Sequence, residues 1–254
     1  MPLDRRAHGA IVAVPMLLHH RTWPEVEDYL RQCQGILVPI GSTEQHGPSG
    51  LIGTDAIAAE VIAAEAGRLA EALVAPTIAV GMAEHHMAFT GSMTLRPETM
   101  TALLEDYAAS LHRHGFRHLY FVNGHGGNVR ILSTVLKKID ELADAPRCKF
   151  VNWWIAPRAK AIRAELYGEA EGMHATPSEI SVTWHAYPDQ IRAATHGVVA
   201  PRMRPWQSAE HYRELYPDGR IGSDPSLATA EAGARLIEAA GADIAEDFIK
   251  FLGE

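Results

Sequence analysis

Four stretches of the chain gather carboxylates and imidazoles. The first runs Gly41-Ser42-Thr43-Glu44-Gln45-His46-Gly47-Pro48 and continues to Gly53-Thr54-Asp55. Glu44 and His46 are two residues apart, so an extended backbone points both side chains to one face. Asp55 follows a loop bearing Gly and Pro and opens the next helix. Glu, His and Asp together form an oxygen and nitrogen donor set suited to zinc, manganese or iron, and an aspartate can bridge two ions through its two oxygens. A plainer reading makes Asp55 a helix N-cap and leaves Glu44 and His46 in a polar loop.

The second stretch is Asn123-Gly124-His125-Gly126-Gly127-Asn128. Glycines between a strand and a helix let the backbone approach a ligand closely. His125 sits among them with little to hide it, which marks it as a ligand; the other reading is an anion cradle at a helix N-terminus. The loop lacks the GxxxxGK[ST] and GxGxxG spacings of nucleotide binding. The third stretch is Gly172-Met173-His174-Ala175-Thr176-Pro177-Ser178-Glu179. Thr176 to Glu179 fits a capping box with Pro at the first helical position. Glu179 is thus either a helix cap or the group completing a metal site, with His174 as a proton carrier. The fourth, Glu84-His85-His86-Met87-Ala88-Phe89-Thr90-Gly91, carries adjacent histidines that point different ways, so at most one faces a shared site. A solvated loop is the reading that stretch favours on its own.

The elements that position these stretches alternate in type. Gly35–Ile40, 73–80 (broken by Pro76), 118–122 and 149–154 read as strands. Residues 56–72, 97–114, from 127 or 128 to 142, 177–186 and 226–251 read as helices. Continuous apolar strands between helices argue for a parallel sheet covered on both faces. Such sheets bind ligands at the carboxyl ends of their strands, which is where the first three stretches fall. The Ala-rich faces of 56–72 and 228–246 pack either inside the subunit or between subunits. Residues 191–220, with Arg202, Arg204, Trp206 and Tyr212, either line the pocket or form a surface loop, and the surface loop is favoured.

Composition narrows the classes. The 254 residues are 47% hydrophobic and 21% charged, which excludes a mainly disordered chain. A formal net charge of −8 does not suit a coat for phosphate backbones, so nucleic acid is not an expected partner. No apolar run reaches membrane-spanning length, and residues 1–10 do not read as a signal peptide. Cys33 and Cys148 stand apart from each other, which fits buried packing and a cytoplasmic setting. The 14 histidines fit metal or acid–base chemistry. No GxSxG elbow or HExxH helix occurs, and neither cysteine neighbours a histidine. What remains is the material of a water-activating metal site.

The motifs around Glu44, His46 and Asp55, the Asn-Gly-His125-Gly-Gly-Asn128 loop, and Gly222-Ser-Asp-Pro-Ser-Leu-Ala-Thr-Ala-Glu231 resemble the creatininase family. Residues 84–95 are similar to a further family segment, and that alignment selects His86 rather than His85. The resemblance implies one domain over 1–254, a three-layer α/β/α fold with a mostly parallel central sheet, and two divalent ions per subunit, zinc, manganese or iron. It implies a hydrolase acting on the C–N bond of a small cyclic or linear amide, assembled as a hexamer. Glu44, His46, Asp55 and His125 match metal-ligand positions, with Asp55 the bridge. Creatininase itself has an acidic residue where this chain has Gly127, and Glu179 is the expected replacement ligand. His174 matches a proton-transfer position and Trp154 a site-lining aromatic. Asn128, Gly126, Gly127 and His86 are expected to orient substrate. C–C cleavage of a cyclic ketone on the same metals, and a non-catalytic anion-binding protein, are the competing expectations.

Overall fold

The computed structural model describes residues 16–192 and 201–253. Five parallel strands form its sheet: β1 (Met16–Leu17), β2 (Gly35–Ile40), β3 (Leu73–Val74), β4 (His118–Asn123) and β5 (Arg147–Asn152), in the order β1-β3-β2-β4-β5. Every residue of β2 is buried, as a central parallel strand requires. Its side chains alternate between two cores. Leu37 of β2 and Tyr120 and Val122 of β4 face one side; Ile36, Val38 and Ile40, with Leu119 and Phe121, face the other.

Helices cover both faces. The Leu37 side carries α2 (Thr54–Ala70), α5 (Pro157–Leu166), α6 (Pro177–Ala186) and α8 (Ala230–Phe251), through Ile62, Ala63, Ala159, Val182, Leu236 and Phe248. The opposite side carries α1 (Trp23–Leu30), α3 (Pro97–Arg113) and α4 (Val129–Asp140), through Tyr29, Met100, Leu104, Leu132 and Val135. The short α7 (Ala209–Leu215) packs on the turn at 84–86, where it buries Tyr212 against His85 and His86. This is the three-layer α/β/α arrangement. The Ala-rich faces of α2 and α8 pack on each other within the chain, so closely that a side chain at Gly241 would collide with Glu65.

Several boundaries differ from the sequence reading. The strand expected over 73–80 stops at Val74, because Pro76 cannot donate to a ladder; Ile78 adds a single bridge to Ile40. The strand expected over 149–154 is Arg147–Asn152, and Trp153–Ile155 is one turn of 3-10 helix. Helix α2 begins two residues early, at Thr54. Helices α1, α5 and α7 were not expected, although α1 and α5 each carry Pro in the first turn. Residues 1–10, read as lacking a signal peptide, lie outside the described residues, as do 193–200 within the segment 191–220. No helix among the described residues is long and apolar enough to cross a membrane.

Candidate metal centre

The chain reverses its direction of sheet growth at β2, so the carboxyl ends of β2 and β4 open side by side. In register there stand Ile40, Asn123 and Asn152. Asn123 shapes the loop beyond β4: its Nδ2 donates to His125 O (2.7 Å) and Asn152 Oδ1 (2.8 Å), and its Oδ1 accepts from the His125 N–H (3.1 Å). Nothing in the sequence reading singled out Asn123; its place at a strand end before a Gly-His-Gly loop was the available signal.

Glu44, His46 and His125 are all buried at 5% exposure or less, as is Asp55. Asp55 lies between two imidazoles: Oδ1 is 3.0 Å from His46 Nε2 and Oδ2 is 2.8 Å from His125 Nδ1. Each ring is aimed by a backbone carbonyl. His46 Nδ1 donates to Glu44 O (3.0 Å), which leaves Nε2 toward Asp55; His125 Nε2 donates to Met82 O (3.1 Å), which leaves Nδ1 toward Asp55. Glu44 sits behind them, Oε1 3.1 Å from His86 Nε2 and Oε2 3.2 Å from His125 Nε2.

Glu179 caps α6 and also reaches the cluster. Thr176 N–H donates to Glu179 Oε1 (2.7 Å) and Glu179 N–H to Thr176 Oγ1 (3.2 Å), while the same Oε1 lies 3.7 Å from His46 Nε2. The capping box therefore holds the carboxylate in place beside His46. Ala175, between His174 and the cap, takes a left-handed backbone (φ 53°), a strained choice for a residue with a Cβ.

Gln45 organises the far side. Its side-chain amide nitrogen lies 2.9 Å from both His86 Nδ1 and His174 Nε2 and 3.1 Å from Gly219 O, and its backbone carbonyl accepts from His174 Nε2 (2.7 Å). His86 thus accepts at Nδ1, and His174 turns the lone pair of Nδ1 inward, 3.8 Å from Glu44 Oε1. Sequence reasoning gave Gln45 no role, although it stands between Glu44 and His46 in the motif.

Charge follows geometry. Burial works against charging His46, but Asp55, with Glu179 and Glu44, outweighs it and lifts the imidazole to about 10. His125 rises to about 9 in the same way, against burial, through Glu44 and Asp55. For Asp55 burial is outweighed by the two imidazoles, and its carboxyl is held well below the usual range. Burial, with Asp55 adding, raises Glu179 to about 7. Burial and the neighbouring imidazoles keep His86 at about 3 and His174 well below the histidine range, so both are neutral at pH 7.

A divalent cation fits this donor set. Both carboxylate oxygens of Glu44 and Oδ2 of Asp55 are buried without a hydrogen bond of acceptable geometry. Ligand atoms of Glu44, Asp55 and His125 lie within 4.8 Å of one another, as do those of His46, His174 and Glu179, and those of Glu44, His86 and His174. Orphaned anionic oxygens beside imidazole nitrogens are what a metal of the zinc and manganese type requires.

The cluster forms the floor of a cleft of about 550 Å³ whose walls include Gly126, Gly127, Trp153, Trp154 and Trp206. Segment 201–220 is therefore part of the wall rather than a detached surface loop: Trp206 stacks on His85 at 5.1 Å, and Tyr212 and Tyr216 are fully buried. The expectation of a solvated loop with at most one histidine facing the site is corrected: His85 and His86 both line the cleft, their ring centroids 4.0 Å apart, with His86 buried against Glu44 and His85 packed against Trp206 and Tyr212. Asn128 is a correction. It is fully buried and does not face the cleft; Oδ1 accepts from Met82 N–H (3.0 Å) and Nδ2 donates to Gly41 O (2.9 Å) and Asn123 Oδ1 (3.3 Å). Its amide is committed to joining three loops. A side chain at Gly127 would collide with the His125 ring and Met82 O, so an acidic residue has no room there and Glu179 reaches the cluster from α6 instead.

Comparison with known proteins agrees with this architecture. The family model for creatininase, described as creatinine amidohydrolase, matches residues 19–248. The mycofactocin precursor peptide peptidase of Mycobacterium ulcerans (strain Agy99) is 33% identical over 230 residues, covering 85% of this chain and 80% of that protein. The creatinine amidohydrolase of Pseudomonas putida is 26% identical over 185 residues, covering 67% of this chain and 71% of that protein. The solved structure named "Creatininase Mn" superposes with a TM-score of 0.78 at 22% identity, covering 93% of this chain and 98% of that one. The chain belongs to the creatininase family of hydrolases.

Proposed function

We propose that the chain is a dinuclear metal-dependent amidohydrolase, its full length one catalytic domain, that cleaves a C–N bond of a small cyclic or linear amide. The observation that carries this reading is Asp55, each of whose oxygens meets a different imidazole, His46 at 3.0 Å and His125 at 2.8 Å. Glu44, Asp55 and His125 would hold one ion, and His46, Asp55 and Glu179 the other. Zinc, manganese or iron suits these donors. When bound, such ions supply hydroxide from water near neutral pH and polarise a carbonyl.

The chain's own residues do the rest. His174 is neutral, anchored through Nε2 to Gln45 O, and presents Nδ1 to the cluster. Nδ1 takes the proton released by the attacking water and delivers it to the leaving nitrogen. Trp154 offers an indole wall on which a planar or cyclic substrate stacks. Backbone at Gly126 and Gly127 orients polar atoms of the substrate, and His86 donates from Nε2 beside Glu44. The name of the M. ulcerans relative extends the linear amides to a peptide bond. Family membership also supports a cytoplasmic homohexamer.

Elemental mass spectrometry on tag-free protein tests the reading. It expects about two equivalents of metal per chain, and release of an amine or ammonia from amide substrates. Absence of metal after reconstitution with each ion overturns the dinuclear centre. Ring opening of a cyclic ketone with no nitrogenous product overturns the amidase.

A further inference from the structure

Arg163 on α5 is the one Lys or Arg lining the cleft among the described residues. Its guanidinium is held at two of its three nitrogens. Nε donates to Glu171 Oε1 (2.8 Å) and Nη1 to the Trp154 carbonyl (2.6 Å). Nη2 has no hydrogen-bond partner among the described residues, and the side chain keeps 18% of its surface exposed. The holding group is itself fixed: Glu171 is buried and accepts a short hydrogen bond from Ser178 Oγ, which lies 3.1 Å from Thr176 Oγ1. Thr176 is the residue whose N–H holds Glu179. A chain of hydrogen bonds thus ties Arg163 to the same capping box that aims the Glu179 carboxylate.

An arginine immobilised at Nε and Nη1, with Nη2 unpaired among the described residues, has lost its rotamer freedom before a ligand arrives. It stands beside the Trp154 backbone, on the wall where a planar substrate would stack. We propose that Arg163 is an anion subsite, and that the preferred substrate is an amide bearing a free carboxylate, which pairs with Nη2 while the amide lies over the metal-binding cluster. This rests on the amidohydrolase reading of the cleft and narrows it to acidic amides.

The test uses the metal-loaded full chain and two probes, N-acetylglycylphenylalanine and its C-terminal carboxamide, which differ in the carboxylate alone. Calorimetric Kd and amine release are both measured. Wild type is expected to bind the carboxylate probe about tenfold or more tightly than the carboxamide, the worth of one charge-assisted hydrogen bond. In Arg163→Gln the two probes should bind within about twofold of each other, and Arg163→Lys should keep part of the preference. An arginine that merely braces Glu171 and Trp154 would, when replaced, weaken both probes alike; that result overturns the subsite. So does a wild type without preference, or one that fails to bind the carboxylate probe at millimolar concentration. Preferential binding lost in Arg163→Gln, without hydrolysis of either probe, upholds the subsite and counts against the amidase reading.

Discussion

His125 Nδ1 lies 2.8 Å from Asp55 Oδ2, a contact that joins the loop after β4 to the first turn of α2. Two segments 70 residues apart in sequence are locked there, and the lock is ionic. Its partner contact, from Asp55 Oδ1 to His46, closes the same carboxylate onto the loop after β2.

Replacing Asp55 by Asn keeps the side-chain volume and removes the charge that both imidazoles use. The variant is expected to lose most of its metal and its activity together. Because a buried ionic partner is removed, metal-free stability should fall by about 3–5 kcal/mol. Elemental analysis and denaturant melts of the two proteins check this, and full activity in Asp55→Asn would refute the bridging role.

Glu179 has two tasks that substitution can separate. Glutamine at 179 retains a carbonyl oxygen to accept the Thr176 N–H, so the α6 cap survives while the anionic donor is lost. Glu179→Gln should melt within about 1 kcal/mol of wild type yet bind metal more weakly. Thr176→Ala should lose about 1 kcal/mol by removing the hydroxyl cap, and should weaken metal binding less. Equal metal affinity in Glu179→Gln and wild type would make Glu179 a cap alone.

Much of this site was legible because its candidate ligands stand next to strand ends that read clearly as apolar runs. Glu44, His46, Asp55, His125, His174 and Glu179 converge as expected. The side chains that aim them were not legible. Gln45 and Asn123 act through hydrogen bonds to residues 174 and 29 positions away, Glu171 joins Arg163 of α5 to Ser178 of α6, and no local period announces such partners. Asn128 was misread because an amide after a Gly-rich loop has the same sequence signature whether it faces ligand or backbone. The short β1 and β3 were poorly readable for a similar reason, since two residues carry no periodicity.

Metal uptake should release protons. In metal-free protein His46 and His125 are charged at pH 7.5, being raised to about 10 and about 9, and each must lose a proton to coordinate. Apparent affinity therefore rises with pH up to about 9–10. Metal-free stability moves oppositely. A raised histidine contributes stability that is fully present below the ordinary pKa near 6.5 and is lost as pH rises through the folded value. Calorimetry in buffers of different ionisation enthalpy should show about two protons released per chain at pH 7.5, and metal-free protein should melt lower at pH 10 than at pH 7. Uptake without proton release would contradict the charged pair.

Gln45→Met keeps length and removes the amide that contacts His86 Nδ1, His174 Nε2, Gly219 O and, through Oε1, the Gly47 N–H. The proposed metal ligands Glu44, His46, Asp55, His125 and Glu179 are untouched, so metal content should hold. His86 loses the partner that fixes its tautomer, and kcat should fall about 10–100-fold, as for other groups that orient a metal site from outside it. A pairing of unchanged metal content with unchanged kcat would show that the tautomer of His86 is set elsewhere.

The two adjacent glycines of the His125 loop make opposite predictions. A Cβ at Gly126 meets nothing within 4 Å, whereas a Cβ at Gly127 runs into the His125 ring and the Met82 carbonyl, which are hydrogen-bonded to each other. Neither obstacle is a flexible side-chain end, so the loop itself must shift. Gly127→Ala should cost about 1–3 kcal/mol of stability and weaken metal binding, because the displaced ring is the one that faces Asp55. Gly126→Ala should leave melting temperature and metal content near wild type. Thermal melts and metal titrations on the pair separate the effects, and equal behaviour of the two variants would mean that the loop yields without moving His125.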